Sequence, residues 1–92
     1  MAAPSASELR ERLQRLLGAE HVEVEDTTPS HCSLSFRLLV VSGRFRGKKL
    51  LERHRLVNEA LGEQLGRIHA LEQRTLTPEQ WEEERGGNLH KI

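Results

Sequence analysis

Ser35-Phe36-Arg37-Leu38-Leu39-Val40-Val41 is the stretch on which the fold turns. It is too short for a typical helix, it is rich in β-branched residues, and its apolar run is nearly continuous rather than alternating. A strand of that kind is buried on much of both faces and belongs in the middle of a sheet. Working outward, His21-Val22-Glu23-Val24-Glu25 alternates with period two and reads as a half-buried strand beside it. Asp26-Thr27-Thr28-Pro29-Ser30 breaks that strand, and the loop over about residues 26–33 carries His31 and Cys32.

Helical spacing brackets these strands. Leu9, Leu13, Leu16 and Leu17 recur at i, i+4, i+7 and i+8, which predicts an amphipathic helix started by a Ser5/Glu8 capping box and ended by Gly18. From Lys49 to Leu65 the helical period returns: Leu50, Val57, Leu61 and Leu65 share one stripe, with Ala60 at its edge and His54 inside it. Gly66 is the expected stop. Residues 68–75 read as a third strand, with His69 on the same face as Leu71, Gln73 and Thr75. Leu76-Thr77-Pro78-Glu79-Gln80-Trp81 then carries an N-cap, a proline at the first helical position, a capping-box glutamine and a Leu76/Trp81 staple. The predicted order is helix, strand, strand, helix, strand, helix: an α/β layer with a three-stranded sheet and helices covering one face. Residues 1–85 are expected to form one domain and 86–92, which lack periodicity, a disordered tail.

Composition narrows the function. A chain of 92 residues with 36% hydrophobic and only 3% aromatic residues can hold one modest Leu/Val core, so a single fold must carry everything. Formal charge is zero, yet Arg44, Arg46, Lys48, Lys49, Arg53 and Arg55 crowd into residues 43–58 against Glu52 alone, a local basic patch on a neutral protein. Cys32 is the sole cysteine, so no internal disulfide can form and a reducing compartment is expected. The N-terminus has no signal-peptide or presequence character and no apolar run is of spanning length, which predicts a cytoplasmic protein with passive access to the nucleus and no membrane partner. No Ser/His/Asp set, paired-carboxylate motif or phosphate loop can be named, so an enzyme is not expected.

Three blocks in order, Phe45 to Asn58 (Phe-Arg-Gly-Lys-Lys-Leu-Leu-Glu-Arg-His-Arg-Leu-Val-Asn), Ile68-His69-Ala70, and Leu76-Thr77-Pro78-Glu79-Gln80-Trp81, closely resemble the BolA family. The resemblance covers roughly residues 8–85, and His21 to Thr28 together with Cys32 look like the cytosolic branch. It implies a fold similar to the type II KH domain, in agreement with the element order. It also implies a [2Fe–2S] cluster shared with a monothiol glutaredoxin, this chain supplying His69 and Cys32 while the partner side supplies a cysteine and glutathione. Passing the cluster to recipient apo-proteins, or reporting on iron, is the role that follows.

If the chain handles such a cluster, chemistry requires ligands from outside it, as the resemblance implies. A [2Fe–2S] cluster takes four ligands, normally Cys with His as an accepted substitute, and one cysteine cannot complete the set. Mixed Cys/His ligation is labile, because imidazole is lost on protonation, and lability suits transfer. His31, adjacent to Cys32, and His54 are weaker candidate ligands; His54 reads better as a hydrogen-bonded core histidine orienting its helix. Arg53, Arg55 and Asn58 are expected on the surface that meets the partner. The alternative reading is a nucleic-acid-binding regulator using the basic patch 44–55. Against it, the KH clamp needs Gly-x-x-Gly, whereas Gly43-Arg44-Phe45-Arg46-Gly47 is one residue too long.

Overall fold

The structure is a computed structural model that describes residues 4–29 and 34–90, of which 87–90 are described by their backbone alone. Helix α1 (Ala6–Leu17) leads into strand β1 (His21–Asp26) and strand β2 (Ser35–Val41). A 3-10 turn (Gly43–Phe45) precedes helix α2 (Leu50–Leu61), and a second (Gly62–Arg67) precedes strand β3 (Ala70–Leu76); helix α3 (Pro78–His90) closes the chain. The sheet order is β1-β2-β3, so the apolar run that opens the sequence argument is the central strand. β1 pairs with it antiparallel, as a direct connection without a crossover allows, and β3 pairs parallel, which requires the crossover that α2 supplies.

Each local signal has its physical counterpart. At the start of α1 the Ser5 hydroxyl accepts from the Glu8 N–H while the Glu8 carboxylate accepts from the Ser5 N–H, and Gly18 ends the helix at φ 56°. At α3, Thr77 and Gln80 bond reciprocally, the Thr77 N–H to the Gln80 amide oxygen at 2.9 Å and the Gln80 N–H to the Thr77 hydroxyl at 3.1 Å. Leu9, Leu13 and Leu17 of α1 and Val57, Ala60 and Leu61 of α2 close over Val22, Phe36, Leu38 and Val40 on one face of the sheet. Phe45 is seated in the same core by its 3-10 turn, which Ser42 fixes: the buried Ser42 hydroxyl donates to the Leu17 carbonyl at 2.7 Å and accepts from the Arg44 N–H at 3.1 Å. Burying each such side chain stabilises by about 1.5–3 kcal/mol.

Several boundaries differ from expectation. α2 stops at Leu61 rather than running to Leu65, because Gly62 takes φ 56° and ψ −129° and the chain tightens into the second 3-10 turn. Arg12 reinforces that stop, its Nε donating to the last-turn carbonyl of Ala60 at 2.6 Å. Leu50, at the first position of α2, is 60% exposed and lies outside the core, as does Leu16 at 41%. β3 begins at Ala70, so residues 68 and 69 lead into the strand instead of belonging to it. α3 keeps helical backbone to His90, so residues 86–90, expected as irregular tail, continue the helix in spite of Gly86 and Gly87. Pairing parity also puts Val41 and Leu76, both buried, on the face opposite the main core, where Trp81 of α3 meets His21. Among the described residues no helix is long and apolar enough to cross a membrane.

Candidate functional site

His69 is held by the backbone at a defined place. Its N–H donates to the Leu34 carbonyl at 2.8 Å, and the Ala70 N–H reaches the same oxygen at 3.3 Å. The preceding residue is fixed as well, the Ile68 N–H donating to the Leu65 carbonyl at 3.2 Å. The imidazole itself belongs to an exposed residue, bordered in sequence and through these bonds by half-buried Leu34, Leu65 and Ile68, which pack onto the core. An accessible donor on a rigid apolar rim is what ligation across a protein interface requires.

Leu34 is also the first described residue after the loop that carries His31 and Cys32, both of which lie outside the described residues. At the other end of that loop the backbone is tied down. The Thr28 hydroxyl donates to the Ser35 carbonyl at 3.3 Å and accepts from the Ser35 N–H at 2.9 Å, and the Thr27 N–H donates to the Ser35 carbonyl at 2.9 Å. Asp26 accepts from the Thr28 N–H at 2.9 Å, and the Thr28 side chain and backbone hold its carboxyl below the ordinary range. His69 therefore stands at the root of the loop, where β1, β2 and the start of β3 come together.

The remaining candidates are dispersed. His54 sits half-buried on α2 as the periodicity predicts, but its Nε2 is buried without a hydrogen-bond partner, which corrects the expectation of a hydrogen-bonded core histidine at that atom. It is also remote from His69. Neighbouring Arg53 donates to the Thr75 carbonyl at 3.2 Å, near the far end of β3, and six residues of strand span roughly 20 Å. Among the described residues no group of three His, Cys, Asp or Glu side chains is arranged to hold a metal ion.

Of the expected partner surface, Arg55 is exposed, whereas Arg53 and Asn58 are half-buried. Arg53 braces the fold, donating to the Lys48 carbonyl at 2.9 Å, to Thr75 and to the Gln80 amide oxygen at 2.9 Å. Asn58 accepts from the Gln73 amide at 2.7 Å, between α2 and β3. The basic patch is depleted in the same way. Arg44 donates to the Leu16 carbonyl, and Arg46 forks onto Glu79 at 2.9 and 2.5 Å. Arg46 holds the Glu79 carboxyl down at about 2 and is itself raised by it. Lys48, Lys49 and Arg55 form no ion pair with another described residue.

One contact had no signal in the sequence. His21 stacks on Trp81 with ring centroids 4.8 Å apart and planes inclined by 16°, and the Arg85 guanidinium lies 5.6 Å from the same indole. Strand parity puts His21 on the outer sheet face, but nothing in the spacing from Leu76 to Trp81 foretells which ring α3 covers.

Comparison with known proteins converges on one family. Residues 13–80 match the family model described as BolA-like protein. The chain is 68% identical over 81 residues to BolA-like protein 2 of Homo sapiens, covering 88% of this chain and 94% of that one. Among solved structures, a bol-like protein from Babesia bovis superposes with a TM-score of 0.83 at 37% identity, over 91% of this chain and 96% of the other. The solution structure of BolA1 from Mus musculus gives 0.78 at 40% identity, over 91% and 73%.

Proposed function

The chain belongs to the BolA family, and from that premise we propose that it is a non-enzymatic adaptor which carries a [2Fe–2S] cluster jointly with a monothiol glutaredoxin. The observation that carries the reading is the 2.8 Å bond from the His69 N–H to the Leu34 carbonyl. Cys32 is two residues upstream of Leu34, a tether of at most about 7 Å. The loop that carries the thiol therefore ends beside the anchored imidazole, which favours a cluster brought by a second molecule taking both as ligands. The exposed imidazole fits a ligand role, since a histidine with a core function would be enclosed.

Two donors leave a [2Fe–2S] cluster half-coordinated, and the glutaredoxin cysteine and glutathione complete it. The cluster is cargo, held between two proteins and passed to recipient apo-proteins. The half-buried Leu34, Leu65 and Ile68 beside His69 offer apolar surface for the partner, with exposed Lys48, Lys49 and Arg55, which form no ion pair with another described residue, as the cations that steer it. A cytoplasmic setting, with access to the nucleus, suits a lone reduced thiol. The nucleic-acid reading loses support because Arg44, Arg46 and Arg53 are spent on intramolecular bonds.

The test is reconstitution. The purified chain alone should be colourless. Mixed with a monothiol glutaredoxin, iron, sulfide and glutathione under anaerobic conditions, it should give a heterocomplex whose visible circular dichroism differs from that of the glutaredoxin homodimer. A stable coloured cluster on the isolated chain, or no heterocomplex, would overturn the reading.

A further inference from the structure

The peptide group that joins Leu34 to Ser35 is held at both of its polar atoms. Its oxygen, the Leu34 carbonyl, accepts from the His69 N–H at 2.8 Å and from the Ala70 N–H at 3.3 Å. Its N–H, that of Ser35, donates to the Thr28 hydroxyl at 2.9 Å. Strands β1 and β3 are the two edges of the sheet and do not pair with each other, so this one peptide at the start of β2 links the segment that follows β1 to the residue that precedes β3. A chain of hydrogen bonds therefore runs across the sheet, from the Thr28 hydroxyl through the 34–35 peptide to the backbone of His69.

Thr28 is arranged to hold its end of that chain. Its hydroxyl accepts from the Ser35 N–H and donates to the Ser35 carbonyl at 3.3 Å, so Ser35 is gripped on both sides of its Cα. The Thr28 N–H in turn donates to the Asp26 carboxylate at 2.9 Å, a side-chain turn that fixes the backbone from which the hydroxyl projects. The Thr27 N–H reaches the same Ser35 carbonyl at 2.9 Å, so what the hydroxyl adds to the backbone pairing is its hold on the Ser35 N–H. Two consequences reach His69. Hydrogen bonds in series polarise one another, so a peptide engaged at its N–H is the stronger acceptor at its oxygen. Fixing the plane of the peptide also fixes the direction of the Leu34 carbonyl, and a hydrogen bond weakens steeply as its angle closes.

We propose that Thr28 is a positioning residue for His69: acting through the 34–35 peptide, its hydroxyl sets where the imidazole stands when a partner brings the cluster. The proposal rests on the reading of His69 as a cluster ligand, whereas the anchoring belongs to the chain alone. Groups that orient a ligand from behind tune how tightly the metal is held, and a ligand that must meet iron carried by another molecule depends on its backbone for that placement.

The experiment compares the full chain with Thr28→Val, which removes the hydroxyl and keeps the β-branched shape, and with Thr28→Ser, which returns the hydroxyl. Without cluster, amide hydrogen exchange at His69 and Ala70 should be about three- to ten-fold faster in Thr28→Val, the worth of one hydrogen bond, and within about two-fold of native in Thr28→Ser. The Ser42 N–H, which donates to the Leu76 carbonyl at 3.0 Å at the other end of the β2–β3 pairing, should exchange at its native rate and so report an intact fold. In the glutaredoxin heterocomplex, Thr28→Val should surrender its cluster to a chelator about three- to ten-fold faster than the native chain, and Thr28→Ser should restore retention. Unchanged exchange at His69 and Ala70, acceleration that extends to Ser42, no rescue by serine, or native cluster retention despite faster exchange would each overturn the proposal. Failure of the native chain to form a heterocomplex would sink the cluster reading instead, a distinguishable result because exchange at His69 is measured without cluster.

Discussion

The imidazole of His21 lies nearly parallel to the indole of Trp81 at 4.8 Å, so the first residue of β1 and the first turn of α3 are joined across the outer face of the sheet. Trp81 is the sole tryptophan. The stack ties α3 to the sheet and is expected to fix the helix's position. In a double-mutant cycle with His21→Ala and Trp81→Ala, urea denaturation should give a coupling of about 0.5–1.5 kcal/mol. Simple additivity would mean that the rings pass close without holding α3.

The Arg46–Glu79 pair gives a pH-dependent contribution whose sign can be worked out. Arg46 first, then the helix backbone, depress the Glu79 carboxyl from 4.5 to about 2. A carboxyl depressed on folding adds stability that is present above its unfolded value and is lost as the pH falls through the folded one. The urea midpoints of the native chain and of Glu79→Gln should therefore be separated at neutral pH and converge between about 4.5 and about 2. The pair is solvent-exposed, so the separation should shrink in high salt.

Between α2 and β3 lies a strip of polar atoms that the helical wheel did not disclose. The Asn58 amide oxygen accepts from the Gln73 amide, while Gln73 Oε1, Thr75 Oγ1 and His54 Nε2 are buried without partners. Asn58→Ala removes that acceptor and leaves a half-buried amide donor unpaired, which should cost about 0.5–1.5 kcal/mol. His54→Leu should be close to neutral or stabilising, because Nε2 gives up no hydrogen bond when the ring is replaced by an apolar group. If His54→Leu instead abolished the heterocomplex spectrum, His54 would be a ligand and the fold's separation of it from His69 would have misled.

Local chemistry was legible where a few neighbouring residues decide the outcome. The caps at Ser5, Gly18 and Thr77 and the central position of β2 follow from spacing alone. What could not be read depends on tertiary placement. Leu50 satisfies the wheel but sits at the first turn of α2, outside the packed core. Arg53 and Asn58 look like free surface groups in sequence, yet the approach of β3 and α3 engages both. The stop at Gly62 rests on a positive φ that Gly66 equally permitted, and Arg12, fifty residues away, is what caps the chosen one. His69 was picked out by family pattern; its anchoring to Leu34 emerges only from the pairing of β2 with β3.

That anchoring sets up the last prediction. The bond to Leu34 uses the backbone N–H of His69, so His69→Ala retains it and deletes only an exposed imidazole. Stability should change by no more than about 0.5 kcal/mol, as for other surface substitutions. The visible circular dichroism of the glutaredoxin heterocomplex should nevertheless be lost, because a ligand is missing while its scaffold is intact. His69→Cys should restore a cluster at the same place with an altered spectrum and a lower reduction potential, since thiolate in place of imidazole adds charge to the iron. A spectrum unchanged in His69→Ala would remove the imidazole from the coordination sphere, and a folded, cluster-free His69→Cys would show that position alone is not sufficient.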